Sequence, residues 1–222
     1  MERRRITTGQ ALAALGLVLL GLVVGWLTAG DGGDSSDDKG AANAGPIDTV
    51  EGVPVGYERS REGAVAAVVN YGAALGGPEF ITNRARRQAM LRVAATEEVA
   101  QEYEKGAAGL AELADTPLYR AIRRGESAIY QGVPLGYRVE RYNEDEAEVF
   151  TWSASVLGAG QEKPQVLFSQ RRTTLRWDGD WKLAGGSEQD GPTPALAEGA
   201  SASSGAEFST RLRGLQGLRY VP

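Results

Sequence analysis

The chain has 222 residues, a formal net charge of −5, and neither histidine nor cysteine. The absence of these two residue types excludes a histidine general base, thiol nucleophiles and Cys/His zinc sites. The charge is uneven, because residues 1–30 carry a net +2 and residues 31–51 a net −5, which leaves −2 for the remainder. This nearly neutral remainder does not predict direct, sequence-specific binding to nucleic acid.

The first predicted element is a transmembrane helix. Residues 6–30 contain no charged side chain, and residues 11–27 are almost entirely Leu, Val, Ala and Gly. A membrane-spanning helix needs about 20 mostly apolar residues. Three arginines come directly before the run and mark its cytoplasmic side: Arg3, Arg4 and Arg5. Trp26 falls at the far end, where the membrane interface suits an amphipathic ring. We expect a basic cytoplasmic tail over residues 1–10 and the anchor over residues 11–29.

Two other interpretations of this run stay open. A cleaved signal peptide has a shorter apolar region and small residues at its cleavage site, whereas the candidate site here begins with Leu27. A buried core helix is the second alternative, but uncharged N-terminal stretches of this length are uncommon in soluble cores. The uncleaved anchor is therefore preferred. It predicts a single-pass protein of the cell membrane, with a cytoplasmic N terminus and an extracytoplasmic C-terminal domain.

Composition divides the rest of the chain into three parts. Residues 30–51 are rich in Gly, Ser, Ala and Asp, and such a segment buries too little apolar surface to fold, so we expect a flexible acidic tether. Residues 52–186 contain the periodic patterns of one α+β domain. Residues 187–222 form a low-complexity tail, in which the apolar spacing of 207–221 predicts a short terminal helix.

Four helices are predicted in the first half of this domain. Ser60 caps a helix with apolar residues at helical spacing, which stops at Gly76-Gly77-Pro78. A second helix covers 83–95, with Ala85, Ala89 and Val93 expected inward. Its other face carries four arginines: Arg84, Arg86, Arg87 and Arg92. Thr96 caps a third helix with a possible break at Gly106, and Thr116-Pro117 begins a fourth over 118–124.

From residue 127 onward the pattern predicts antiparallel strands. Alternation around Tyr137 leads to a turn at Asn143-Glu144-Asp145, and a second strand covers 146–157. In that strand one face holds Phe150, Trp152, Ala154 and Val156, and the other holds Val149, Thr151, Ser153 and Ser155. A third strand covers 165–177, and Asp178-Gly179 predicts a hairpin into a fourth. Helices followed by such strands indicate helices packed on one face of a sheet.

One short motif occurs twice. The sequence GVPVGY at 52–57 returns as GVPLGY at 132–137. Proline and glycine usually mark turns, so we interpret both copies as turns that lead a tyrosine into the core. A shared binding motif is the less favoured alternative.

The order of elements and the last hairpin carry a family resemblance. Residues 173–183, TTLRWDGDWKL, resemble the hairpin that closes the cone in the nuclear-transport-factor superfamily. The resemblance implies a cone-shaped domain with three to four helices packed on a curved antiparallel sheet. Combined with the anchor and the tether, the plan resembles the inner-membrane scaffold subunit of type IV secretion systems and the TcpC-type transfer proteins of Gram-positive conjugation. That likeness implies a non-catalytic protein that assembles with other channel subunits, and a homo-oligomer.

Catalysis receives little support from the sequence. Enzymes of the cone fold resemble ketosteroid isomerase, whose base is an Asp or His in an apolar cone. The candidate polar residues here are Tyr71, Tyr103, Tyr119, Tyr130 and Asp115, and no Asp lies in an apolar strand. We predict no enzyme activity, no catalytic residue, and no cofactor or metal site. A small apolar ligand held inside the cone remains the alternative function.

The four arginines of the second helix are the candidate interaction surface. Guanidinium groups suit acidic partners, lipid headgroups or transported DNA. The alternative is a solvated helix face whose arginines pair with Glu79, Glu97 or Glu98, because charge on a helix is usually solvation.

Overall fold

The computed structural model describes residues 44–76, 78–106, 117–126, 128–159, 164–195 and 203–217. Its helices are α1 (Arg61–Ala74), α2 (Pro78–Thr82), α3 (Arg84–Ala94), α4 (Glu97–Gly106), α5 (Pro117–Arg123) and α6 (Gly205–Arg211). Its strands are β1 (Asp48–Val50), β2 (Val53–Val55), β3 (Ala128–Tyr142), β4 (Glu146–Ala159), β5 (Gln165–Trp177), β6 (Trp181–Asp190) and β7 (Gln216–Gly217). The expected α+β class is confirmed.

A curved antiparallel sheet in the order β6-β5-β4-β3-β7 organises the domain. Both predicted turns form. Asn143 accepts hydrogen bonds through its side-chain oxygen from the backbone N–H groups of Asp145 (2.9 Å) and Glu146 (2.8 Å), which closes the β3–β4 connection. Gly179 has φ +69° between β5 and β6, a conformation that glycine adopts without steric cost. These local signals therefore determine the two connections between the long strands.

Helices α1, α3 and α4 pack on the sheet face that contains Val149, Leu175 and Trp181, all fully buried. Helix α1 supplies Val68 and Tyr71 to this core, and its N terminus is capped as expected, because the Ser60 hydroxyl accepts the Gly63 N–H at 3.0 Å. Large buried side chains from the helices and from the sheet fill most of the interior between α1 and the sheet.

The opposite sheet face contains Phe150 and Trp152, and the C-terminal residues lie against it. The Trp152 indole N–H donates to the Pro192 carbonyl at 3.1 Å, and Arg138 donates to the Arg213 carbonyl at 2.6 Å while lying over the Phe150 ring. Strand β7 then pairs with the middle of β3. Residues 187–195 and 203–217 thus continue the domain: β6 ends at 190, and the expected terminal helix is the shorter α6 followed by a strand.

The structure corrects two other expectations, and a third group concerns residues outside the described part of the chain. The Gly76-Gly77-Pro78 stop ends α1, but Pro78 also begins the unpredicted helix α2, since proline suits a first helical turn. The N-terminal boundary lies earlier than 52, because β1 begins at 48 and Ala44 is already buried. The predictions for residues 1–43, for Asp115 and for the Tyr130 side chain lie outside the described part of the chain.

The two copies of the GVPxGY motif have different structures, so the expectation of two turns was wrong for the second. The first copy forms β2 and a turn at Gly56 (φ +82°), after which Tyr57 enters the core. The second copy lies inside β3, where the pairing with β4 is irregular between Pro134 and Gly136. Proline is tolerated at such a bulge because no ladder hydrogen bond is lost there.

Candidate interaction surface

The four arginines of α3 do not form one continuous exposed surface. Arg84, Arg86 and Arg87 pair with glutamates from three other parts of the fold. Only one of the expected partners, Glu79, takes part, and the others are Glu51 and Glu104. The sequence could not identify these two, because they lie 35 and 17–20 residues away in elements whose docking is set by the whole core.

Arg86 joins three elements. Its guanidinium lies 2.5 Å from the Glu51 carboxylate and 3.3 Å from that of Glu79, and it also donates to the Glu51 carbonyl at 3.3 Å. The β1–β2 turn and α2 are thereby held against α3. All three side chains are at least one-third exposed, so each ion pair contributes little, about 0–1 kcal/mol.

Arg87 is buried, which corrects the expected orientation of α3. Its side chain is 6% exposed, donates to the Phe80 carbonyl at 3.1 Å, and lies 3.6 Å from the Glu104 carboxylate. The buried face of α3 consists of Arg87, Met90, Leu91 and Ala94. Ala85, which was expected inward, is exposed. Alanine is small enough for either environment, so it does not orient a helix, whereas the acceptors around Arg87 make its burial possible.

Arg92 is the arginine of α3 that remains exposed without an ion pair among the described residues. It lies in an open groove of about 1300 Å³ between α3, α4 and the β5–β6 hairpin. We call this feature the hairpin groove. Its apolar lining includes Leu91, Ala95, Ala100 and Trp177.

Fixed contacts hold both walls of the hairpin groove. The Thr96 N–H donates to the Leu183 carbonyl at 2.9 Å, which joins the α3–α4 connection to β6. The Lys182 ammonium donates to the Val93 carbonyl at 2.6 Å, and Trp177 packs edge-on against Trp181 with 5.3 Å between ring centroids. The groove is therefore built into the folded domain by contacts between α3, the α3–α4 connection and the hairpin.

The acidic wall of the hairpin groove is the first turn of α4. Two hydrogen bonds, from the backbone N–H of Glu98 itself and from the Thr96 hydroxyl, hold the pKa of the Glu98 carboxyl below its usual value. The positive charge of nearby Arg176 lowers this pKa further. Glu98 is exposed and thus negatively charged at neutral pH. The groove was not predicted from the sequence, although the three elements that form it, α3, the capped helix α4 and the hairpin, all were.

A much smaller cavity of about 40 Å³ lies between α1 and the sheet. Hydroxyl groups of Thr151, Ser153, Ser155 and Ser169 line it, together with the ion-paired Arg171 and Glu188. Such a volume holds a few water molecules, since one water needs roughly 10–15 Å³ by this measure. Pockets for drug-sized ligands measure about 300–1,000 Å³.

The candidate polar residues whose side chains the structure describes, Tyr71, Tyr103 and Tyr119, are not gathered at that cavity. Tyr71 donates its hydroxyl to the Trp181 carbonyl at 2.6 Å, and burial raises its pKa far above the ordinary range. Tyr103 packs edge-on against Phe80. Neither residue lines the cavity. In the described part of the chain, no three acidic residues are arranged to hold a metal ion.

Asp180 is a buried carboxylate in the closing hairpin, and it has a structural role. Its oxygens accept the backbone N–H groups of Gly56 (2.7 Å), Tyr57 (3.2 Å) and Trp181 (2.8 Å). The first GVPVGY copy is therefore tied to the β5–β6 turn across more than 120 residues of sequence. The bridge fixes the position of the motif, while the positive φ of Gly56 (+82°) and the burial of Tyr57 in the core account for these two residue types without a ligand.

The expected membrane residues Arg3, Arg4, Arg5 and Trp26 lie outside the described residues. Among the helices that the structure does describe, none has the length and apolar character needed to cross a bilayer.

Comparison with known proteins places the chain in a family. The model of a domain of unknown function (DUF8175) matches residues 40–204, which is most of the chain, so the protein belongs to that family. No curated protein and no solved structure matches it. The matched region contains α3, α4 and the β5–β6 hairpin, so the hairpin groove is part of the family domain, whereas α6 and β7 follow it.

Proposed function

We propose that the chain is a membrane-anchored, non-catalytic assembly component of a conjugative or type IV-like secretion apparatus. Residues 11–29 cross the cell membrane in this proposal, with Arg3, Arg4 and Arg5 on the cytoplasmic side and Trp26 at the outer interface. The domain stands outside the cytoplasm, and its partners are other membrane and channel subunits. No cofactor takes part.

The fold supports the cone-shaped architecture in this proposal. In the closing hairpin, Trp177 pairs with Trp181 and Leu175 pairs with Leu183, as the resemblance to the nuclear-transport-factor superfamily requires. Leu175, Trp181 and Leu183 are buried under the helices. The α+β layering with a curved sheet is the broader feature on which that likeness rests.

One observation carries the functional proposal: a large concave surface lies on the outside of the described domain. The interior is filled by its own side chains, including the fully buried Tyr71, Val149 and Trp181, and the cavity beside them is small and lined by hydroxyl groups. The hairpin groove outside is roughly thirty times larger by volume and presents charged side chains with a tryptophan. A partly exposed Trp with a charged rim is typical of protein–protein contact sites. The alternative, a small apolar ligand in the cone, has less support because the cavity is far smaller than a ligand pocket.

Gene deletion in the natural host tests the proposal. We expect DNA transfer or secretion to fall to background on deletion and to return when the full chain is supplied. A matched variant carries a cleaved signal peptide in place of residues 1–29, which exports the same domain without an anchor. This released domain should fail to restore transfer, because assembly requires it at the membrane. Normal transfer in the deletion strain would refute the proposed function.

A further inference from the structure

The two walls of the hairpin groove carry opposite charge. The α4 wall has Glu97 and Glu98 without ion pairs, against Lys105, while its third glutamate, Glu104, is already paired with Arg84 and Arg87. The wall formed by α3 and the hairpin has three cations, Arg92, Arg176 and Lys182, against one aspartate. The unpaired charges of the groove therefore nearly balance, with a negative excess on the α4 wall and a positive excess on the opposite wall.

The charges at the groove rims are available to a partner. Arg92, Arg176, Glu97 and Glu98 are all exposed, and none forms an ion pair with another described residue. The other three arginines of α3 are neutralised within the domain. Trp177, held between Arg59 (5.5 Å from the ring) and Trp181, is only partly buried and offers apolar surface between the two rims.

We infer that the hairpin groove is a self-association surface, in which the acidic α4 wall of one copy meets the basic wall of a second copy. A two-fold axis through the groove brings each acidic wall opposite a basic wall, so the same attraction forms twice. Such isologous contacts require a self-complementary surface, and complementary charges fix their register.

The balance of charge selects a second copy over other occupants. DNA and anionic lipid headgroups are recognised by an excess of positive charge, because binding depends on neutralising many phosphates. Apart from Glu104, which is paired with Arg84 and Arg87, the groove has four cations and three carboxylates, so its positive excess is only one charge. Its glutamates would repel phosphate from one side while the arginines attracted it from the other.

This inference deepens the proposed function and rests on it for the membrane setting. Anchoring the copies in one membrane raises their effective concentration, so a weak contact between exposed charges suffices for assembly. Contacts of this kind weaken as ionic strength rises.

Charge reversal with a swap tests the inference on the full chain reconstituted in lipid vesicles, where the copies share one membrane, by energy transfer between fluorescently labelled copies. The basic-wall variant is Arg92→Glu/Arg176→Glu, and the acidic-wall variant is Glu97→Lys/Glu98→Lys. We expect the wild type to associate, each variant alone to be monomeric, and an equal mixture of the two to associate again. Restored association in the mixture cannot result from misfolding, since both components would have to be folded.

A control and a milder pair complete the design. Arg120→Glu/Arg123→Glu reverses two exposed arginines of α5 that do not line the groove, and it should associate as the wild type does. Arg92→Gln/Arg176→Gln removes the charges without reversing them and should weaken association by a smaller factor.

A monomeric wild type, variants that associate like the wild type, or a mixture that stays monomeric would each overturn the inference. None of these results depends on DNA transfer, so the proposed function keeps its own separate test.

Discussion

Replacing Asp180 should destabilise the domain strongly, because this carboxylate joins the first GVPVGY copy to the β5–β6 turn. Asp180→Ala removes the acceptor of three N–H groups, of which those of Tyr57 and Trp181 are buried. A buried N–H without a partner costs about 1–3 kcal/mol, so we expect the free energy of unfolding to fall by about 3–5 kcal/mol. Asp180→Asn keeps one carbonyl acceptor and should cost roughly 1–2 kcal/mol.

Urea unfolding of the full chain in detergent, followed by tryptophan fluorescence, measures this loss. The matched control is Asp178→Asn in the same turn, where the side chain is exposed and the change should stay within about 0.5 kcal/mol. An unchanged midpoint and slope for Asp180→Ala would show that the bridge between the first motif and the hairpin does not stabilise the fold.

Three further perturbations follow from particular contacts. Arg87→Met removes a buried guanidinium from its carboxylate and should cost about 3 kcal/mol in urea unfolding. Gly136→Ala places a Cβ within 2.6 Å of the Leu215 side chain, so β7 should detach and amide hydrogen exchange over 203–217 should accelerate. Burial raises the pKa of the Tyr71 hydroxyl in the folded protein, so above about pH 10 this group ionises only in the unfolded chain. Its contribution to the free energy of unfolding should therefore be fully present below about pH 10 and should be lost as the pH rises above that value. Tyr71→Phe should flatten this decline in urea midpoints measured at alkaline pH.

Local chemistry explains which features could be predicted from the sequence. The Ser60 cap, the Asn143 turn and the Asp178-Gly179 hairpin each depend on residues that lie within a few positions of one another. The alternation from 146 to 177 likewise indicated the long strands, because a strand's period is visible in the sequence itself. Helix and strand positions were therefore largely predictable.

Partners distant in sequence explain what was missed. Arg87 and Arg92 carry the same charge on one helix, and the difference in burial arises from Glu104 and the Phe80 carbonyl, which only the packing of α2 and α4 brings together. The GVPLGY copy in β3 contains the same turn signals as the first copy. There the pairing with β4 overrides them.

The hairpin groove was also missed because the residues that form it are distant in sequence. Its walls come from α3, α4 and the β5–β6 hairpin, and residues 92 and 176 approach across more than 80 positions. Each wall alone looks like an ordinary charged surface. The separation of acidic and basic walls exists only once the α3–α4 connection is bonded to β6.

DNA transfer by two matched variants tests most directly whether the outer groove or the interior is the functional site. Arg92→Glu/Arg176→Glu changes the groove, and Ser153→Val fills part of the interior cavity that Ser153 lines. Each replaces the wild-type gene in the natural host, with protein levels measured by immunoblot. We expect transfer to be lost in the groove variant and retained in the cavity variant at equal protein levels. Retained transfer in the groove variant with loss in the cavity variant would contradict the assignment of the groove as the functional site.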